Sequence, residues 1–191
     1  MKQAPVLNDK QVKKLFNSPK MTKYESRNRL ILSLSYYAGL RSVEICSLCV
    51  GDVLNGDGSI KDTILLKSHQ TKGNESHTVV LSANLRGELE KYVSEQSLQT
   101  ERITAPLIKS QKGGFFSSQS LQNLLKHLYR NVGFDDCSSH SGRGDASSLD
   151  EKNVSIGVIK TLLRHSHISS TQRYIQVSKH RLENSVNLLN Y

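Results

Sequence analysis

Cysteine is scarce in this sequence: Cys46, Cys49 and Cys137 are the only three among 191 residues. An odd count argues against a disulfide framework of the kind that staples small secreted domains. Cys46-Ser47-Leu48-Cys49 has the spacing of a metal-binding pair, yet no second pair or suitably spaced histidine follows it closely. It sits in a helical apolar pattern, so the two thiols read as small buried hydrophobes rather than zinc ligands. Long apolar runs are also lacking. The best, over 30–38, is too short to span a bilayer, and Met1-Lys2-Gln3-Ala4-Pro5 carries no apolar signal region. No internal repeat, low-complexity tract or linker interrupts the chain. These absences point to one cytoplasmic domain with no place in a membrane.

What is present is globular and basic. Hydrophobic residues make up 36% and charged residues 23%, a mixture that builds a core rather than a disordered coil. Lys and Arg number 26 against 17 Asp and Glu, a formal charge of +9. That excess makes nucleic acid the leading partner class, because Lys and Arg release counterions from phosphates and steer the encounter. Charge alone does not separate this from a merely soluble basic protein.

The periodicity predicts an α+β fold, mainly α-helical, with a small antiparallel β-sheet. Residues 1–7 form a loose, flexible arm. Asn8 caps a helix over 9–17 that turns Val12, Leu15 and Phe16 to one side. After a break at Pro19, a helix over 23–38 carries Leu30, Leu34 and Tyr37 on one stripe, with Ile31 and Ala38 beside it, and Gly39 ends it. Arg41 opens a short helix with Val43, Ile45, Leu48 and Cys49 inward. On it Arg41 and Glu44 lie three apart and can pair; taken alone, that is an ordinary surface ion pair. Asp52-Val53-Leu54 reads as β, leading into the turn Asn55-Gly56-Asp57-Gly58. Thr63-Ile64-Leu65-Leu66 and Thr78-Val79-Val80-Leu81 are two strands, and Gly73-Asn74 favours a tight turn between them with Lys72 at its tip.

Further on, a helix over 83–97 aligns Leu85, Leu89 and Val93. Pro106-Leu107-Ile108 is extended and Lys112-Gly113-Gly114 turns. Ser117 or Ser118 caps a helix over 118–132 with Leu121, Leu124, Leu125 and Leu128 as its core stripe. Ser155 caps a helix over 156–164 with Ile156, Ile159, Leu162 and Leu163 inward. A short helix over 171–175 presents Tyr174, and an amphipathic helix over 179–189 closes the chain.

Between His140 and Tyr174 the composition changes. Three histidines, three arginines and one tyrosine stand in 35 residues, against Glu151, Asp145 and Asp150 and no cysteine. That mixture suits an anionic, phosphate-like partner better than a metal: arginine grips phosphate oxygens bidentately and keeps its charge. Histidine donates or moves a proton near neutral pH. A tyrosine among cations is a candidate nucleophile, because they favour its phenolate. The plainer reading is a solvated basic helix face. No carboxylate cluster is present to hold Mg²⁺, which counts against a metal-dependent nuclease.

Four boxes, in order and on the expected elements, resemble the tyrosine recombinases, or phage-integrase family, and the likeness spans nearly the whole chain. Ala38-Gly39-Leu40-Arg41-Ser42-Val43-Glu44-Ile45 resembles the family's first box. Thr71-Lys72-Gly73-Asn74 is similar to its lysine hairpin. His140-Ser141-Gly142-Arg143 resembles the HxxR of the second box. The run 163–174, with His165 and, nine residues on, Tyr174, resembles the last. The resemblance implies that the chain is a single catalytic domain of the tyrosine-recombinase type over 1–191, with the N-terminal core-binding domain absent. It implies that Tyr174 attacks a DNA phosphate and leaves a 3′-phosphotyrosyl link, without metal, ATP or other cofactor. Arg41, Arg143 and His165 would hold the charge of the transition state, Lys72 would be the acid, His140 a base and Glu44 a support. Partners implied are double-stranded DNA, copies of the chain in a tetramer on DNA (monomer or dimer when free), and an accessory recombinase or DNA-bending protein. The helix at 179–191 reads first as a core-packing last helix; docking into a neighbouring subunit is the alternative that the resemblance implies. A bacterial or phage mobile element is the implied origin, with the protein nucleoid-associated when on DNA.

Three departures mark the chain. Gly144-Asp145 and the polar residues after them replace an apolar continuation, and Asp145 lies two residues from Arg143. Arg164 replaces a glycine before His165. The usual clamp domain is not in the sequence. The readings that follow are a site-specific DNA recombinase or integrase, and, as the alternative, a catalytically impaired DNA- or partner-binding module derived from one. A nicking-closing topoisomerase of related chemistry is a third.

Overall fold

Seven α-helices and one two-stranded sheet occur among the residues that the computed structural model describes, which are 7–71, 74–139, 141 and 154–163. Helix α1 (Asp9–Leu15) starts where Asn8 Oδ1 accepts from the Gln11 N–H while Gln11 Oε1 accepts from the Asn8 N–H, a reciprocal cap that satisfies two otherwise orphaned donors. It buries Val12, Leu15 and Phe16 as expected. Leu7, assigned to the arm from sequence, is half-buried and packs on the core.

Helix α2 (Glu25–Tyr37) is the axle of the domain. It buries Leu30, Ile31, Leu32, Ser33, Leu34 and Ser35 in an unbroken run, as a helix covered on several sides must. Across it lies α5 (Ala83–Glu95), whose Leu85, Leu89 and Val93 face inward. Arg29 Nε and Nη2 grip Glu88 at 2.8 and 2.6 Å and tie the two helices together. Tyr37, placed on the core stripe from sequence, is instead 36% exposed. It stands in the last turn of α2, with its ring against those of Phe16 and Tyr36.

Next come α3 (Ser42–Ser47) and α4 (Val50–Val53). The expected strand at 52–54 is therefore a turn of helix up to Val53, followed by a single bridge between Leu54 and Ile60. Asp52 Oδ2 accepts the Cys49 N–H at 2.9 Å, and that cap outweighs the β-propensity of Val53 and Leu54. Val43, expected inward on α3, is exposed, and Cys46 and Cys49 are half-buried. The segment 103–107 runs along the α3–α4 junction, through Gly51 N–H to Ile103 O, Val50 N–H to Ala105 O and Leu107 N–H to Leu48 O.

Strands β1 (Thr63–Leu66) and β2 (His77–Val80) pair antiparallel, Ile64 opposite Val79 and Leu66 opposite His77. Ile64, Leu66 and Val79 face the core, whereas Leu65 and Val80 face out. Strand β2 starts one residue earlier than expected, and Leu81 leaves it while remaining buried. Gly113 turns with φ +85°. Helix α6 (Ser118–Arg130) is capped by Ser117 and buries Leu121, Leu125, Leu128 and Tyr129; Leu124 is half-buried. Helix α7 (Ile156–Leu163) buries Ile159 completely and half-buries Ile156, but Leu162, expected inward, is exposed. The spacing gave the phase of its stripe but not how far the core reaches along it. The expected helices at 171–175 and 179–189 lie outside the described residues.

Candidate active site

Arg41 owes its position to the end of α2. Gly39 takes φ +58°, a left-handed conformation that costs a residue with a Cβ. The Leu40 N–H then reaches back to the Leu34 carbonyl at 3.2 Å, and the Leu40 side chain is buried. The chain emerges at Arg41, the N-cap of α3.

One carboxylate then fixes the arginine twice. Glu44 Oε2 accepts the Arg41 backbone N–H at 2.7 Å, and Oε1 accepts from Arg41 Nη1 at 2.8 Å. The Glu44 side chain has 0% of its surface exposed, against 26% for Arg41. This is not the surface ion pair that the spacing alone suggested. Enclosing a carboxylate is costly unless its oxygens are bonded to donors, and both oxygens here are. The guanidinium is thereby held in one pose at the head of α3.

The other end of α3 holds the β1–β2 hairpin. Gln70 is buried in the 3-10 turn Ser68–Gln70 that leaves β1. Its Nε2 donates to the Ser47 carbonyl and to Asp52 Oδ2, each at 3.0 Å, and its Oε1 accepts the Lys67 N–H at 2.8 Å. The buried Thr71 hydroxyl lies 3.0 Å from the Ser68 carbonyl and 2.9 Å from that of Glu75, so it clasps both sides of the hairpin end. Asn74 completes that end with φ +53°.

A third anchor lies in the second box. Ser141 is buried in the turn after α6; its N–H bonds the Ser138 carbonyl at 2.9 Å and its Oγ accepts the Ser138 N–H at 3.1 Å. Cys137, beside it, is also buried, and burial pushes its thiol up while the Ser141 hydrogen bond opposes this. Burial likewise pushes the Cys46 thiol up to about 11. Among the described residues no three His, Cys, Asp or Glu gather as a metal site, and no helix is long and apolar enough to cross a membrane.

Of the residues singled out from sequence, Arg41 and Glu44 are brought together as described. Lys72, His140, Arg143, His165 and Tyr174 lie outside the described residues, as do Gly144, Asp145 and Arg164. Gln70, Thr71 and Asp52 were not singled out. Asp52 carried a legible signal, an acid three residues after a helix start, whereas Gln70 bonds across 23 residues of sequence to Ser47 and left none.

A helix-rich domain with a small two-stranded sheet, and an arginine locked at a helix head by an enclosed glutamate, is the class that the fold defines. A family model described as "Phage integrase family" matches residues 5–181. The chain belongs to that family, the tyrosine recombinases. Tyrosine recombinase XerA of Pyrococcus horikoshii is 27% identical over 164 residues, 84% of this chain and 54% of that protein. Tyrosine recombinase XerD of Oceanobacillus iheyensis is 29% identical over 183 residues, 93% of this chain and 59% of that one. The chain thus spans between half and three fifths of these relatives. In fold it is similar to a crystal structure of XerA recombinase, with a TM-score of 0.75 at 20% identity, covering 100% of this chain and 67% of that one. XerH site-specific recombinase, bound to palindromic difH substrate in a post-cleavage complex, gives a TM-score of 0.74 at 23% identity, covering 98% and 54%. The fold is that of a tyrosine-recombinase catalytic domain.

Proposed function

We propose that this chain is the catalytic domain of a site-specific DNA strand transferase, working through a 3′-phosphotyrosyl intermediate. The observation that carries the reading is the Arg41–Glu44 lock, in a chain that the family model matches over nearly its whole length. Tyr174 Oη attacks the phosphorus, the bond to the 5′-oxygen breaks, and that oxygen takes a proton from Lys72. His140 accepts the phenol proton. Arg41 and Arg143, with His165 donating, hold the charge that crowds onto the non-bridging oxygens; one such preorganised donor is worth about 3–4 kcal/mol of barrier. The protein–DNA ester conserves the bond, so a second strand is joined by the reverse step without ATP. Metal is not required, because fixed cations do the work of a Lewis acid.

Double-stranded DNA is the proposed partner. The net charge of +9 favours it, and XerH and the Tn1549 transposon integrase, similar in fold, are solved bound to DNA. Assembly of copies into a tetramer on DNA is part of the same reading, with residues 179–191 as the docking element.

A suicide substrate tests this. The full chain is incubated with nicked duplexes from the flanks of its own gene, with EDTA present, and run on a denaturing gel. A covalent complex that Tyr174→Phe abolishes is the expected result. Binding in a mobility shift without any adduct would instead favour the impaired binding module, the reading to which Gly144 and Asp145 point.

A further inference from the structure

Resting on the reading of Lys72 as the acid, we propose that Gln70 is a positioning residue: it locks the base of the lysine hairpin to the helix that presents Arg41. Three observations carry this. Gln70 is 2% exposed and uses both ends of its amide, in three hydrogen bonds of 2.8 to 3.0 Å. One of its partners, Ser47, is the last residue of α3, the helix that Arg41 caps. Thr71, next in sequence and directly before Lys72, holds its one hydroxyl proton within reach of the Ser68 and Glu75 carbonyls, on the two sides of the hairpin end.

The physical argument is one of direction. An apolar side chain would fill the same volume at least as favourably, because a buried amide must first lose its water. What the amide adds is orientation: a fully bonded buried polar group specifies one geometry, whereas apolar contacts tolerate sliding. A two-stranded sheet is marginal by itself, and strands alone would leave the spacing between hairpin and α3 loosely defined. Misplacement by about 1 Å is enough to cost roughly 100-fold in a reaction that depends on alignment. With Gln70 in place, the described base of the hairpin and the arginine at the head of α3 are referred to the same six-residue helix.

The test separates proton donation from every other step. DNA carrying sulfur in place of the bridging 5′-oxygen expels a thiolate, which leaves without taking a proton. Covalent-complex rates are measured on ordinary and 5′-thio duplexes for the parent, Lys72→Ala, Gln70→Met and Arg41→Ala. Gln70→Met keeps the volume and removes the amide. On ordinary DNA it is expected to react roughly tenfold or more slowly, and on 5′-thio DNA to come within about threefold of the parent. Lys72→Ala should be rescued in the same way and Arg41→Ala should not. Gln70→Met equally slow on both substrates, or slow on neither, would overturn the inference while leaving Lys72 as the acid. If Lys72→Ala is not rescued either, the reading of Lys72 falls and the inference falls with it.

Discussion

Arg41 Nη1 and Glu44 Oε1 are 2.8 Å apart, with the glutamate wholly enclosed and the arginine partly open. The enclosed partner has the stricter requirement. Glu44→Ala removes the cap on the Arg41 N–H and the carboxylate that the guanidinium grips. Because Arg41 retains some contact with water, the loss should fall at or below the usual range for breaking a buried pair, about 2–4 kcal/mol. Glu44→Gln keeps one acceptor and should lose about 1–2 kcal/mol. Urea denaturation at matched m-values measures both. A cost for Glu44→Ala below about 0.5 kcal/mol, the level of a surface pair, would show that the enclosure does not stabilise the domain.

Gly39 governs where that arginine emerges. Its φ of +58° admits any side chain only with strain. Gly39→Ala is expected to cost about 1–2 kcal/mol and Gly39→Asn distinctly less, since asparagine tolerates the left-handed region. If the two substitutions destabilise equally, what matters at this position is crowding rather than backbone conformation. Thermal melts of the two variants side by side decide it.

The same pair shows what a sequence can and cannot disclose. Spacing placed Arg41 and Glu44 on one helix face, because three residues is nearly one turn. Enclosure of Glu44 was not legible, since burial on α3 is decided by elements from distant parts of the chain, and α2, α6 and the Ser68–Gln70 turn all pack against this helix. The helices with caps and regular apolar spacing, α1, α5 and α6, start where the sequence placed them and end two residues earlier than expected. The short elements were less legible. Asp52 made a helical turn of residues whose propensity favours strand, and Tyr37, Val43 and Leu162 kept the phase of their stripes yet lay beyond the core. In the site itself, the box around Arg41 was plain from its residues, whereas the Gln70 tie to Ser47 exists only once the chain has folded.

Alkaline pH should expose the groups that burial keeps neutral. Burial pushes the Cys46 thiol up to about 11 and the Tyr92 phenol up to about 12, and shifts the Cys49 thiol and the Tyr129 phenol the same way. Each is an acid whose folded pKa lies above its unfolded value, so the unfolded chain releases the proton first. Their contribution to stability is whole below about pH 9 and is lost between about 9 and 11 for the thiol and between about 10 and 12 for the phenol. Urea midpoints should therefore fall as pH rises through this window, and Cys46→Ala should remove part of the fall. At pH 8 iodoacetamide should label Cys46 roughly 100-fold more slowly than a free thiol, in proportion to its thiolate fraction. Labelling at the free-thiol rate would mean that this part of α3 is open to solvent.

Asp52 and Gln70 ought to behave as one unit. Asp52 Oδ2 accepts from the Cys49 N–H, which starts α4, and from Gln70 Nε2, which holds the hairpin. Removing either partner leaves the other, buried Gln70 or half-buried Asp52, with a polar group that has lost a bond, so the second removal costs less than it would alone. A double-mutant cycle with Asp52→Ala and Gln70→Met should give a coupling of about 0.5–2 kcal/mol, whereas Gln70→Met combined with Glu88→Ala, which shares no partner with it, should add within about 0.3–0.5 kcal/mol. The sign matters as much as the size. If Gln70 only fills space, its loss is the same with or without Asp52, and the cycle closes to zero. If the amide is the tie between α3, α4 and the hairpin, Asp52→Ala loosens the hairpin in advance, and the same variant should lose part of the defect on ordinary DNA that Gln70→Met would otherwise add.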